Sequence, residues 1–191
     1  MNGDHIRILR AADRPATVWK NGGGVTREIA VWPADADMDS FRWRASLAEV
    51  AADGPFSAFP GIDRTLTLAE GAGMDLVVGG ERRLVTERFA PQDFAGDEPT
   101  DCRLVGGPVV NFNVMYRRGT TTARTVVVRD SLALAAEPGE TLLVVVLDGS
   151  AALDTPQGPA RTLGPYDALL ARGGFAGRVR TDGRAAVVRF R

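Results

Sequence analysis

Apolar residues recur at every second position in short blocks along most of the chain, the period of a strand with one face buried. The clearest block is Phe41-Arg42-Trp43-Arg44-Ala45-Ser46-Leu47. Phe41, Trp43, Ala45 and Leu47 take one face, and Arg42, Arg44 and Ser46 take the other. The same reading predicts strands over residues 25–32, 65–68, 74–78, 81–86, 109–116, 124–129, 142–147, 168–171, 177–181 and 185–190. Gly71-Ala72-Gly73 and Gly79-Gly80 separate neighbouring blocks, the second as a two-residue hairpin turn. Residues 48–52 are expected to form one helical turn, and no longer window sustains a helical period. Many short strands between frequent turns predict an all-β sandwich or barrel.

The pattern repeats weakly. Leu66-Thr67-Leu68-Ala69-Glu70-Gly71, followed by Phe89-Ala90-Pro91-Gln92-Asp93, resembles Val144-Val145-Val146-Leu147-Asp148-Gly149, followed by Leu163-Gly164-Pro165-Tyr166-Asp167. Each copy is an apolar strand, an acid and a glycine, then a Pro-x-Asp turn into another strand. Two small barrels in tandem are therefore expected, residues 1–118 and 119–191, with strands open to exchange between the halves, joined where Gly119 precedes three threonines.

Composition narrows the function. Basic residues number 23 and acidic residues 24, for a formal net charge of −1, which argues against a nucleic-acid wrapper or a polybasic membrane binder. The longest apolar run, residues 142–147, is far short of a membrane span, and residues 1–15 carry no apolar leader core, so a cytoplasmic protein is expected. Cys102 and His5 are each alone of their kind, which rules out an intrachain disulfide and any metal site needing two histidines of one chain. Lys20 is the one lysine against a background of arginine, a compact ammonium where the rest of the chain uses guanidinium.

Three segments carry candidate chemistry. Trp19-Lys20-Asn21-Gly22-Gly23-Gly24-Val25-Thr26-Arg27-Glu28 joins three glycines to an ammonium, an amide, a hydroxyl and a carboxylate. A small anion could be held by its backbone N–H groups and Lys20, although it matches no nucleotide-binding glycine pattern. Phe56-Ser57-Ala58-Phe59-Pro60-Gly61-Ile62-Asp63-Arg64 runs into a strand in which Arg64 shares a face with Leu66 and Leu68. A guanidinium there needs a carboxylate, either from a ligand or from Glu28 or Glu70. In Asn111-Phe112-Asn113-Val114-Met115, the two asparagines and Met115 share a face, and their amides must either bind a ligand or lock neighbouring loops. Nucleophilic catalysis is poorly supported, with no G-x-S-x-G and no Ser-His or Cys-His pairing. Cys102 sits beside Asp101, which disfavours its thiolate and suits a buried structural thiol. Acid–base work by Glu28, Glu70 or Lys20 stays open.

Taken in order, these segments resemble the HutD/Ves family, small cupin-like proteins associated with histidine utilisation. The family pattern W-K-N-G-G-G-x-T-x-E-I reads here as Trp19 to Ile29, W-R-x-S as Trp43-Arg44-Ala45-Ser46, and G-x-F-S-x-F-x-G-x-x-R as Gly54 to Arg64. It continues with Phe94-Ala95-Gly96-Asp97, Cys102-Arg103-Leu104, Gly107-Pro108 and Asn111-Phe112-Asn113, where Asn111 stands in place of the family's usual acid. The resemblance implies a bicupin, two tandem antiparallel β-barrels of jelly-roll type with a pocket in the first. Cupins often hold a metal with two or three His and a Glu, which one His cannot supply, so by counting no metal and no cofactor are expected; the resemblance implies a regulator that senses a small anionic metabolite of histidine breakdown such as formylglutamate or urocanate. Lys20, Arg44 and Arg64 are the expected carboxylate partners, with Asn21, Thr26, Ser46 and Asn113 supplying directional hydrogen bonds. Two other readings stand beside it. One is a metal-independent cupin enzyme on a small carboxylate or sugar-like substrate, with Glu28 or Lys20 as base. The other is a β-barrel interaction module, associating through a sheet edge or an apolar patch, as in a homodimer, with the polar motifs structural.

Overall fold

The computed structural model describes residues 6–156 and 158–191, so His5 lies outside the described residues. The alternating blocks become strands, and among the described residues the one helical segment is a single 3-10 turn, Ala11–Asp13. In chain order the strands are β1 (Ile6–Leu9), β2 (Thr17–Val18), β3 (Gly24–Trp32), β4 (Trp43–Val50), β5 (Gly54–Phe56), β6 (Ile62–Glu70), β7 (Met74–Val78), β8 (Glu81–Val85) and β9 (Gln92–Ala95). They continue as β10 (Thr100–Leu104), β11 (Val109–Arg117), β12 (Ala123–Ala136), β13 (Thr141–Asp148), β14 (Ala151–Thr155), β15 (Gly158–Leu163), β16 (Ala168–Arg172) and β17 (Phe175–Phe190).

The chain divides into two units. The first, Arg14–Thr122, holds a six-stranded antiparallel sheet in the order β2-β3-β4-β11-β6-β9 and a four-stranded one in the order β5-β10-β7-β8. Leu66, Leu68, Val50 and Val109 of the larger sheet pack on Met74, Leu76, Val78 and Cys102 of the smaller one, so the two faces share one apolar core. Residues 48–50, expected in a helical turn, instead continue β4, with Ala48 opposite Asn111 and Val50 opposite Val109. Ala48 and Val50 are buried and Glu49 is exposed, so the alternation of β4 runs on through these residues.

The second unit joins Ala123–Arg191 with residues 6–13. Its sheet runs β1-β16-β13-β17-β14-β15, with β12 on β17. The chain start thus belongs with the second unit, an exchange that the division of the sequence at residue 118 left open. β1 pairs antiparallel with β16, Ile6 opposite Ala171 and Leu9 opposite Ala168, so it adds an edge strand to the second unit. Asp167 fastens the connection by accepting from the Ala11 N–H at 2.8 Å, the Gly164 N–H at 3.0 Å and the Arg10 guanidinium at 2.6 Å. Residues 177–181 and 185–190, read as two strands, form one continuous β17. The interior of this unit is aliphatic and aromatic, with Leu134, Leu142, Val144, Val146, Leu153, Leu169 and Phe175 packed together.

The internal repeat has a geometric counterpart, in a different register from the sequence match. The Phe89 N–H donates to the Leu68 carbonyl, and the Tyr166 N–H to the Val146 carbonyl, each at 2.8 Å. Leu68 and Val146 each stand three residues before the glycine that ends the motif, Gly71 and Gly149. Both aromatic residues have positive φ, 67° and 61°, uncommon for bulky side chains. The equivalent residues are therefore Phe89 and Tyr166. The two Pro-x-Asp turns do not correspond, since Pro91 follows Phe89 whereas Pro165 precedes Tyr166.

Candidate functional site

The glycine-rich segment forms the loop between β2 and β3. The Trp19 N–H donates to the Gly24 carbonyl at 3.0 Å, and the Gly22 N–H to the Trp19 carbonyl at 2.9 Å. Gly22 takes φ +69°, which favours glycine. Gly24 is required for a different reason: a Cβ there would stand 2.5 Å from the Glu49 carbonyl and 3.1 Å from the Trp19 ring. The Trp19 indole N–H donates to Thr26 Oγ1 at 2.8 Å, and the Gly23 N–H to Asn21 Oδ1 at 3.0 Å. Thr26 and Asn21 thus shape the loop that presents Trp19 and Lys20.

Strand pairing then lines up the other candidates. Met115 of β11 lies opposite Arg44 of β4 on one side and Arg64 of β6 on the other. Two residues along, Asn113 lies between Ser46 and Leu66, and Ser46 faces Glu28 of β3. Another two residues along, Asn111 lies between Ala48 and Leu68, and Ala48 faces Thr26. Since side chains alternate faces, these rows share one side of the sheet. Of these rows, Thr26, Arg44, Ser46, Ala48, Arg64, Asn111, Asn113 and Met115 line a cavity of about 640 Å³, and Lys20 and Asn21 of the glycine loop contribute to its wall. Trp19, Phe56 and Phe59 line it as well, and Val18 and Met38 stand exposed on it.

Arg64 is 8% exposed, and no carboxylate among the described residues forms an ion pair with it. Its Nε is buried without an acceptor. Three rings stand around the guanidinium carbon, Phe94 at 5.2 Å, Phe56 at 5.4 Å and Phe59 at 5.8 Å from their centroids. Burial lowers its pKa from the ordinary arginine value to about 10, which still leaves it charged at neutral pH. The carboxylates that the sequence allowed as internal partners lie elsewhere: Glu28 accepts from Arg44 Nε at 2.7 Å, and Glu70 is exposed at the end of β6. Arg44 is thus oriented and partly neutralised, while Lys20 is exposed and has no ion-pair partner among the described residues.

The remaining motif residues build the frame. A Cβ on Gly96 would meet the Ile62 carbonyl at 2.8 Å and Arg64 Cδ at 3.4 Å, so only glycine allows the segment after β9 to lie against Arg64. Asp97 accepts from the Gly61 N–H at 2.7 Å and shares Arg118 with Asp63. Those contacts, the Gly61 amide first, hold its carboxyl below the usual range. Cys102 belongs to the core, and burial together with Asp53 pushes its thiol up to about 11. The rings around Arg64 were not singled out as site residues from sequence. The signals were there: Phe56 and Phe59 precede Arg64 in one motif, and Phe94 is its partner across β6 and β9.

The described cavity wall holds three cations and no imidazole, thiol or carboxylate. That donor set suits an anion and does not suit a metal cation of the kind cupin folds often carry. Among the described residues, no three of His, Cys, Asp and Glu gather where they could share an ion.

The architecture is all-β and bicupin, with an electropositive cavity in its first unit. A sequence profile of the HutD family matches residues 11–188, and the chain belongs to that family. It is similar to an uncharacterized 21.2 kDa protein in the hutC 3′ region of Pseudomonas putida, 39% identical over 111 residues, and to protein Ves of Cronobacter sakazakii, 40% identical over 111 residues. These alignments cover 58% of this chain and span under two thirds of the relatives themselves, 58% and 60%. Among solved structures, HutD from Pseudomonas fluorescens SBW25, determined in a formate condition, superposes with a TM-score of 0.85 at 33% identity over 97% of both chains. A conserved protein of unknown function from Pseudomonas aeruginosa PAO1 superposes at 0.87 and 33% identity, over 97% of this chain and 98% of that one. A cupin 2 conserved barrel domain protein from Leptotrichia buccalis shares the fold at 0.58 and 11% identity, over 91% of each chain.

Proposed function

We propose that the first unit binds a small carboxylate metabolite and that occupancy modulates histidine breakdown. One observation carries the ligand class: Arg64 is a buried guanidinium on a cavity wall, without a carboxylate partner among the described residues. A buried charge without its counterion is costly, and a bound carboxylate removes that cost through a forked pair of hydrogen bonds. Lys20 adds positive charge from the glycine loop. Arg44, steered by Glu28, supplies a further donor. Ser46 and Asn113 orient the bound molecule. Thr26 keeps a hydroxyl proton to donate while its oxygen serves Trp19, and Asn21 keeps its amide nitrogen free while its oxygen caps Gly23. The link to histidine breakdown is supported by the family and by the hutC-region relative.

The test is a thermal-shift and calorimetric panel with formate, formylglutamate and urocanate. Formate leads because the Pseudomonas fluorescens relative was solved in a formate condition. A true ligand raises Tm by mass action, about 2.7 kcal/mol at a hundredfold excess over Kd. Arg64→Met is expected to weaken it by about 2 kcal/mol or more, near thirtyfold, and Lys20→Met by about tenfold. Binding that survives Arg64→Met unchanged would remove the carboxylate from this cavity. A hut-dependent growth rate on histidine that is unchanged by Arg64→Met would sink the regulatory half of the proposal.

A further inference from the structure

Of the strands that end a sheet, one is left open to pairing. β1, β2 and β9 are four residues long or shorter, β5 and β15 carry Pro55 and Pro159, and β8 carries Glu81, Arg82 and Arg83. Short length, proline and charge each blunt a sheet edge. β12 runs for 14 residues without a proline. Among the described residues it pairs only with β17, which gives its other side to β13 and β14. The far side of β12 therefore keeps a row of backbone N–H and C=O groups without a strand partner. Its apolar side chains are only half covered. Val128 and Leu132 pack on the core of the second unit and stay partly exposed, and Val126 is 36% exposed. Arg124, Arg129 and Asp130 are exposed, and none of them forms an ion pair among the described residues.

We propose that residues 124–130 of β12 form the interface of a homodimer, in which the same segment of a second copy adds as an antiparallel strand, two-fold about Val127. The partner is a second copy because the segment is complementary to itself, and its charges choose the register. About Val127, Val126 faces Val128 of the second copy, Thr125 faces Arg129, and Arg124 faces Asp130 at both ends. Sliding by one residue in one direction sets Arg124 against Arg129 at both ends, a like-charge pair. Sliding in the other direction leaves Arg124, Arg129 and Asp130 all facing uncharged residues. In the chosen register, Val126 and Val128 of each copy cover one another where the core of the second unit leaves them exposed. Asp130 takes φ 62°, so the strand bends there and its straight run stops where the charged pairs stand. A net charge of −1 per chain opposes association only weakly. None of these residues lines the cavity of the first unit, so the proposal stands apart from the carboxylate reading.

The test is sedimentation equilibrium of the full chain at micromolar concentrations, where a particle of twice the 20.3 kDa chain mass is expected. Arg124→Asp sets an acid against Asp130 at both ends of the pairing and is expected to weaken the dimer by about tenfold or more. Adding Asp130→Asn to that variant removes the repulsion, in a residue that tolerates the same positive φ, and is expected to recover most of the loss. Val126→Lys, at an exposed position, is expected to give a monomer with an unchanged circular dichroism spectrum. Register is read by cross-linking, with Cys102 buried and out of reach. Val127→Cys is expected to form an intermolecular disulfide under mild oxidation, since opposed residues stand about 4.5–5.5 Å apart, and Ala133→Cys is expected to form none. A chain that sediments as a monomer throughout, or a dimer indifferent to Arg124→Asp and Val126→Lys, would overturn the proposal. So would cross-linking through Ala133→Cys and not Val127→Cys, which would place the two-fold elsewhere.

Discussion

Arg64 concentrates the cost and the use of the site in one side chain. Without a ligand it is a buried charge held only by ring faces, so Arg64→Met is expected to raise the Tm of the ligand-free protein, by about 1–3 kcal/mol of stability, while weakening binding by about thirtyfold or more. A lower Tm in that variant would mean that the guanidinium props the fold. Its pKa of about 10 makes a second prediction. Only the charged form holds a carboxylate, so affinity should be flat from pH 6 to 8. It should then fall as pH rises through about 10, measured by calorimetry in Lys20→Met so that one free cation remains in the cavity. The sequence made Arg64 legible because it shares a strand face with Leu66 and Leu68, which forces burial. Its freedom from Glu28 was not legible. That depended on Glu28 facing Ser46 across β3 and β4, one row from Arg44, a register set by the bulge between Glu28 and Ala30.

At the scale of elements, the glycine loop and the chain start each depend on one contact. Gly24→Ala forces its Cβ against the Glu49 carbonyl and the Trp19 ring, and is expected to cost about 1–3 kcal/mol in Tm measurements and to weaken carboxylate binding by displacing Trp19. Asp167→Asn removes a charged acceptor from Ala11, Gly164 and Arg10, and is expected to free the amides of β1 to hydrogen exchange. Burial alone would raise the pKa of Asp167, but the Ala11, Arg10 and Gly164 contacts outweigh it and the net shift is downward. The stability it gives is therefore present above the ordinary aspartate range and lost as pH falls through its folded value. Hydrogen exchange of β1 should accelerate in acid in the parent and change little in Asp167→Asn. Strands with one buried face, such as β7 and β8, were legible from alternation and the Gly79-Gly80 turn. Residues 48–50 were not, because Ala48, Glu49 and the alanines that follow Val50 are good helix formers by composition, and pairing with β11 is what holds 48–50 extended. β1 was not either, since four residues that pair with β16, more than 150 positions away in the chain, carry no local sign of it.

Over the whole molecule, the interiors of the two units differ: one is packed with aliphatic side chains, and the other holds a cavity walled by cations and amides. A bound carboxylate should slow hydrogen exchange in β2, β3, β4, β6 and β11, and leave β13 and β17 unchanged. The repeat was visible in the sequence. The register of the repeat was not, because the equivalence runs through the backbone of Phe89 and Tyr166 and not through their neighbours. The contrast between the copies, Ser46, Arg64, Asn111 and Asn113 set against Leu142, Val144 and Val146, emerged in the structure. One more property follows from the placement of Lys20. It is the chain's one side-chain amine, and it is exposed on the wall of the cavity. An amine-selective acylating reagent, read on the peptide that carries Lys20 and so apart from the α-amine, therefore writes occupancy into mass: that peptide gains one group when the cavity is open and gains it more slowly when the cavity is filled.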